Sequence, residues 1–247
     1  MHNAGQLLLL CVGQALAWGF VGLALFKGTF RRYKYLCIYT GSMIACDILR
    51  EACLRAYGWR SQEYFFTYFG LDVLLVVLRY LATISIFEII LSESPFRTQA
   101  RMAFLTLVGL VVAVSYWFTS NLVISRETLF LKRLIVEVQQ NMYFASVVLT
   151  LMLCVTLAYL RVKEPQLRAL VGGLGMSAAM QAASWAVQSL VPKNQFDALW
   201  SVVRYISPVA TLAMLAIWCY ALTMLPVAVD ETETERDREL VLVEARG

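Results

Sequence analysis

Histidine is almost missing from this chain: His2 is the only one in 247 residues, and it lies at the extreme N-terminus. That excludes a membrane haem held between paired histidines, a histidine-based zinc site, and any Ser-His or Cys-His nucleophile pair inside the bundle. Charge is scarce as well, at 15% of residues, against roughly a quarter in an ordinary soluble domain. The six cysteines, Cys11, Cys37, Cys46, Cys53, Cys154 and Cys219, include no CxxC pair, and all fall in apolar segments. They read as small buried apolar groups and not as a disulfide framework or a redox site. The last apolar stretch, WSVVRYISPVATLAMLAIWCYALTML, contains no lysine, so it offers no amine for a retinal Schiff base. Together these absences argue against an enzyme, and no cofactor, no metal site and no nucleic-acid partner is expected.

Hydrophobic residues, in contrast, make up 60% of the chain. A helix that crosses a bilayer needs about 20 mostly apolar residues, because the hydrocarbon core is roughly 30 Å thick and each residue rises about 1.5 Å. Seven segments qualify as candidates: Gln6–Phe26, Tyr35–Tyr57, Tyr64–Ile90, Met102–Thr119, Leu134–Leu160, Ala169–Val191 and Trp200–Leu225. They are long and continuous where a barrel would alternate apolar and polar residues over about ten positions. In lipid the backbone must satisfy its own hydrogen bonds, which a helix does. The expected fold is therefore all-α, a polytopic membrane bundle of seven transmembrane helices over residues 1–226. Residues 227–247 turn abruptly polar, with seven acidic residues against three arginines, and read as an acidic cytoplasmic tail. Ala15-Leu16-Ala17 has the look of a signal-peptide cleavage site, but no Lys or Arg precedes it and the apolar run continues past it. The segment is read as the first span.

Basic residues in short loops mark the cytoplasmic side. Loops after the first, third and fifth spans hold Lys27, Arg31, Arg32, Lys34, Arg97, Arg101, Arg161, Lys163 and Arg168, whereas the other loops hold Arg60, Arg126, Lys132, Arg133 and Lys193. The bias puts the N-terminus outside and the C-terminus in the cytoplasm, in a plasma (inner) membrane, multi-pass arrangement.

Two of the spans carry charges. The third, YFFTYFGLDVLLVVLRYLATISIFEII, places Asp72 and Arg79 seven residues apart, which on a helix means one face and about 10 Å along the axis. Tyr64 and Tyr68 extend that stripe. In the second span, Asp47 precedes Arg50 by three residues and Glu51 by four, and Glu51 precedes Arg55 by four, a ladder along one side. Charges at such depth are costly unless they face the interior and pair, and they mark functional sites by default. Arg204 on the seventh span is positioned to balance the acidic excess. Uncharged polar residues fall at similar depth, among them Gln14, Gln139, Gln140, Asn141, Gln181, Ser184, Gln188 and Ser207. The candidate ligand-binding residues are Asp47, Arg50, Glu51, Tyr68, Asp72, Arg79, Gln140, Gln181 and Arg204. The structural alternative is that these groups only hold helices together.

The sixth span, rich in Gly and Ala around Gly172, Gly173 and Gly175, is expected to pack tightly. Pro208 in the seventh is expected to kink it.

With its seven spans, the basic loop FKGTFRRYKY, the pattern Tyr64, Tyr68, Asp72 and Glu88, and a short tail, the chain resembles a group of uncharacterised bacterial seven-helix integral membrane proteins. The resemblance covers nearly the whole chain and implies an inner-membrane location. It carries over no activity and no catalytic residue. A polar pocket in the outer half of the bundle points to a receptor-like or sensory module for a small polar ligand arriving from outside. Its partners would be the lipid bilayer and a cytoplasmic or membrane protein engaged through the tail. A small-solute transporter and an accessory or structural subunit of a membrane complex are the alternatives.

Overall fold

The computed structural model describes residues 4–59, 61–91, 97–120, 127–162, 164–190 and 197–224. Seven helices account for nearly all of them: α1 (Ala4–Phe26), α2 (Lys34–Tyr57), α3 (Gln62–Ile90), α4 (Arg97–Ser120), α5 (Glu127–Tyr159), α6 (Pro165–Leu190) and α7 (Asp197–Met224). No strand occurs among the described residues, and the expected tail, residues 227–247, lies outside them.

Five of the helices contain stretches long and apolar enough to cross a membrane: Leu8–Phe26, Gln62–Ile90, Arg133–Tyr159, Pro165–Gln188 and Tyr205–Met224. Seven helices therefore stand where seven spans are expected, but α2 and α4 do not meet the same criterion. The charges of α2 dilute its apolar character, and the apolar part of α4, Leu105–Ser120, is short. Large apolar side chains point outward along the bundle, including Trp18, Leu110, Trp117, Phe118, Leu151 and Val155. A soluble protein rarely exposes so extended an apolar surface, and the belt is that of a helical membrane protein.

The short turns have clear local causes. Gly58 (φ 78°) ends α2, donating its N–H to the Leu54 carbonyl at 2.9 Å. The Ser61 hydroxyl then accepts from the Tyr64 N–H at 3.0 Å and caps α3. A left-handed glycine followed three residues later by a Ser cap turns the chain back on itself.

Neighbour relations define the topology. Helices α1, α2, α3, α5, α6 and α7 pack in that order into a ring that closes where α7 meets α1. Helix α4 stands outside the ring against α5 and, more lightly, α3. Asn141 on α5 is drawn to it, donating to Ser115 Oγ at 2.9 Å.

The end of the ring away from the N-terminus is filled. Trp218 is fully buried, 5.3 Å from the Phe20 ring and 6.2 Å from that of Tyr39, and its indole N–H donates to the Leu170 carbonyl at 2.9 Å. Gly173 makes room for it: a Cβ there would lie 2.9 Å from Trp218 Nε1, and one at Gly175 would lie 2.8 Å from Thr150 Cγ2. Small residues thus bring α6 close to α7 and to α5, as the sequence suggests.

Loop contacts close the same end. Arg32 holds Glu164 through two bonds of 2.8 and 2.9 Å, Lys27 donates to the Thr223 carbonyl at 3.0 Å, and the Tyr33 hydroxyl reaches Gln166 Oε1 at 3.4 Å. Burial pushes the Tyr33 phenol up to about 12, with Arg32 working against the shift and Glu164 adding to it.

Candidate functional site

Above the Trp218 layer the ring encloses a cavity of about 680 Å³. All six ring helices line it and α4 does not. On α3 alone the lining runs from Tyr64 to Arg79, fifteen residues or about 22 Å along the axis. The cavity therefore occupies the half of the bundle nearest the N-terminus and stops near its middle.

An acidic and basic cluster occupies the wall between α2 and α3. Asp72 Oδ1 accepts from Arg50 Nη2 at 2.6 Å, and Oδ2 accepts from Gln139 Nε2 and, at 3.5 Å, from the Tyr143 hydroxyl. Arg50 also lies 3.8 Å from Asp47, donates to the Tyr68 carbonyl at 3.5 Å and stacks 4.6 Å from the Tyr68 ring centre. Asp47 is completed by Gln14, whose amide donates to Oδ2 at 2.8 Å. Glu51 meets the exposed Arg55 one turn away at 2.8 Å. Both aspartates are thus supplied with donors, and Arg50 is shared between them.

Arg79 lies deeper and its company is different. Its Nε and Nη2 donate to the Tyr39 hydroxyl at 3.2 and 2.9 Å, Nη1 donates to Gln181 Oε1 at 2.7 Å, and Nη2 reaches Ser177 Oγ at 3.4 Å. The rings of Tyr39 and Tyr143 flank it at 5.7 and 5.8 Å. Among the described residues no carboxylate is within ion-pair distance. Arg79 as a whole is only 4% exposed, yet it lines the cavity.

These positions refine the sequence reading. Asp47, Arg50, Glu51, Tyr68, Asp72, Arg79 and Gln181 all line one cavity. Asp72 and Arg79 share a face but do not pair with each other; the partner of Asp72 is Arg50, across the α2–α3 contact. Gln140 is half-buried and not part of the lining, whereas its neighbour Gln139 is. Adjacent helical residues point about 100° apart, so only one of them faces the ring interior. The side chain of Arg204 lies outside the described residues. Tyr39, Tyr143 and Ser177 are absent from the sequence-based set, although a buried arginine needs acceptors and π-faces of this kind.

Two buried polar atoms at the cluster have no partner: Arg50 Nε and Gln139 Oε1. Among the described residues no group of three or more His, Cys, Asp or Glu side chains is placed to share a metal ion. The lining instead combines hydrogen-bonding groups with the aromatic rings of Tyr64, Tyr68, Phe69, Tyr143, Trp185 and Tyr205. Such a surface is suited to holding an organic molecule by stacking and a few directed polar contacts.

No protein-family model, no curated protein and no solved structure matches the chain. Its function is therefore argued from its own geometry.

Proposed function

We propose that the protein is a receptor-like membrane module that binds a small polar solute in the cavity of its six-helix ring. The observation that carries this reading is the cavity itself. Its volume falls within the roughly 300–1,000 Å³ of small-molecule sites, and it gathers charged residues of α2 and α3, the partly buried Asp47, Arg50, Glu51 and Asp72 and the buried Arg79, around one space. Charges kept only to hold helices together are best sealed between them, whereas these border an accessible volume. On the positive-inside argument the cavity faces outward from an inner membrane and residues 227–247 face the cytoplasm, available to a protein partner. A solute that reorders the Arg50 pairings would act on α2 and α3 directly. It would act on α7 through Pro208, which lines the cavity and breaks the helical hydrogen-bond ladder. No catalytic step is assigned to the site.

Thermal unfolding of the purified chain in detergent, against a panel of amino acids, organic acids, amines, sugars and lipid head groups, tests the reading. A solute at a hundred times its Kd adds about 2.7 kcal/mol of apparent stability, a readily measured shift. Absence of any shift across the panel would remove the solute-binding reading and favour an accessory subunit. Uptake of a binding solute into liposomes would replace the receptor with a transporter, because the filled Tyr39 and Trp218 layer would then have to part.

A further inference from the structure

The two arginines of the cavity differ in a way that identifies the ligand. Arg50 has two carboxylates, and each of those carboxylates has further donors in Tyr143, Gln139 or Gln14. A cationic ligand would find these acids already engaged. Arg79, in contrast, is held at the inner end of the cavity by three neutral side chains, Tyr39, Gln181 and Ser177. They satisfy its geometry without neutralising its charge. A buried cation that has no carboxylate at ion-pair distance among the described residues, and feels Asp72 only from further off, attracts an anion strongly, because low dielectric strengthens the pairing.

Gln139 supplies a second, independent requirement. It is 2% exposed, lines the cavity, and leaves its Oε1 without a donor. Its orientation is fixed by Asp72, since a carboxylate accepts from the amide NH₂ and would repel the amide oxygen. The unmet oxygen therefore calls for an N–H or O–H from whatever enters.

Resting on the solute-binding reading above, we propose that the ligand is a small carboxylic acid bearing a hydrogen-bond donor, an amino or hydroxy acid. Its carboxylate pairs with the Arg79 guanidinium, and its amine or hydroxyl donates to Gln139 Oε1. The rest of the molecule packs on Tyr68, Phe69, Tyr143 and Trp185. Four of the five guanidinium N–H groups are engaged by Tyr39, Gln181 and Ser177, which leaves one Nη1–H for a charge-assisted hydrogen bond to the carboxylate, a contact for which lysine is a partial substitute.

The test sets each acid against its own primary amide on the full-length chain in detergent, by thermal shift and calorimetry. The probes are phenylalanine and phenylalaninamide, mandelate and mandelamide, phenylacetate and phenylacetamide, and glutarate and glutaramide. At least one acid is expected to bind about tenfold or more tightly than its amide, the scale of one charged hydrogen bond. Phenylalanine or mandelate is expected to bind more tightly than phenylacetate, which lacks the donor. Arg79→Gln should abolish the preference for the acid, Arg79→Lys should keep part of it, and Gln139→Leu should erase the advantage of the donor alone. If Arg79→Gln does not fold, the acid and amide pairs on the parent protein still decide. Binding of amides or amines in preference to acids would overturn this assignment while leaving solute binding intact. Failure of every compound in the wider panel would overturn both.

Discussion

The two ends of the six-helix ring solve the same problem in opposite ways. Away from the N-terminus, α6 and α7 meet through a glycine at 173 and an indole at 218, and polar groups pair across the helices, Trp218 with Leu170, Arg32 with Glu164 and Lys27 with Thr223, though Gln166 Nε2 has no partner. Toward the N-terminus the same helices stand apart around about 680 Å³, and Arg50 and Gln139 each keep an atom without a partner. Packing density thus declines along one axis, whereas unmet polar atoms occur at both ends. A bundle optimised only for stability would fill both ends; on the solute-binding proposal, the open end is where packing has been given up for recognition.

The largest expected effect lies at the filled end. Trp218→Ala removes a fully buried indole and its hydrogen bond, and should cost about 3–5 kcal/mol, seen as a large fall in Tm in detergent. A loss under about 1 kcal/mol would mean that the layer collapses freely and that the contrast between the ends is overstated.

At the cavity end, Asp72→Ala leaves Arg50 and Gln139 short of their main acceptor. Both members of the ion pair are partly exposed, at 18% and 17% for their side chains, so the cost is expected at about 2–3 kcal/mol, below that of breaking a fully buried pair. Removing Arg50 as well should recover part of it. Combining Asp72→Ala with Arg79→Met should instead come close to the sum of the two losses, short of it only by the small coupling carried through their shared neighbour Tyr143. The reverse pattern in the double-mutant cycles would restore Arg79 as the partner of Asp72.

Alkaline titration addresses the filled end again. The Tyr33 phenol is raised from an ordinary value of about 10 to about 12. Between these values the folded state holds a proton that the unfolded state has released. Its contribution is fully present below about pH 10 and lost as the pH rises through about 12, amounting to about 3 kcal/mol. In Tyr33→Phe that slope should disappear, and an unchanged slope would assign it elsewhere.

The smallest effects separate neighbours. Gln140→Leu should change stability by less than about 0.5 kcal/mol, and Gln139→Leu should cost about 1 kcal/mol through its lost bond to Asp72. Equal values would indicate that both amides face similar surroundings.

Much of this fold is legible in the chain. Apolar run length locates all seven helices to within a few residues at most ends, and intrahelical spacing identifies the charged faces of α2 and α3. Relations between helices are not contained in such patterns. The spacing of Asp72 and Arg79 is a property of α3 alone, but the choice of Arg50 as partner depends on how α2 docks against it. The segments are apolar around most of their circumference, so hydropathy does not distinguish the face of Gln139 from that of Gln140. Nor does it show that α4 leaves the ring, since α4 is as plausible a neighbour for α3 as α5 is. Tyr39 and Tyr143 escape notice for a related reason: in a membrane helix a tyrosine reads as an interfacial residue until the arginine it serves is placed beside it.

The position of α4 outside the ring has a consequence for biosynthesis. A chain is made from its N-terminus onward, and α1, α2 and α3 can pair as they emerge. The next helix to appear does not belong in the circle, so it must be set aside while α5 takes the place beside α3. The last joint, between α7 and α1, brings together residues such as Cys219 and Leu16, 203 positions apart in sequence. Until that joint forms, the space at the centre is a groove facing lipid, with Arg79 on its wall and no protein on the far side. The cavity is therefore a product of the final step of assembly, and a chain lacking its seventh helix would offer the quality-control machinery of the membrane an exposed guanidinium where the complete protein encloses it.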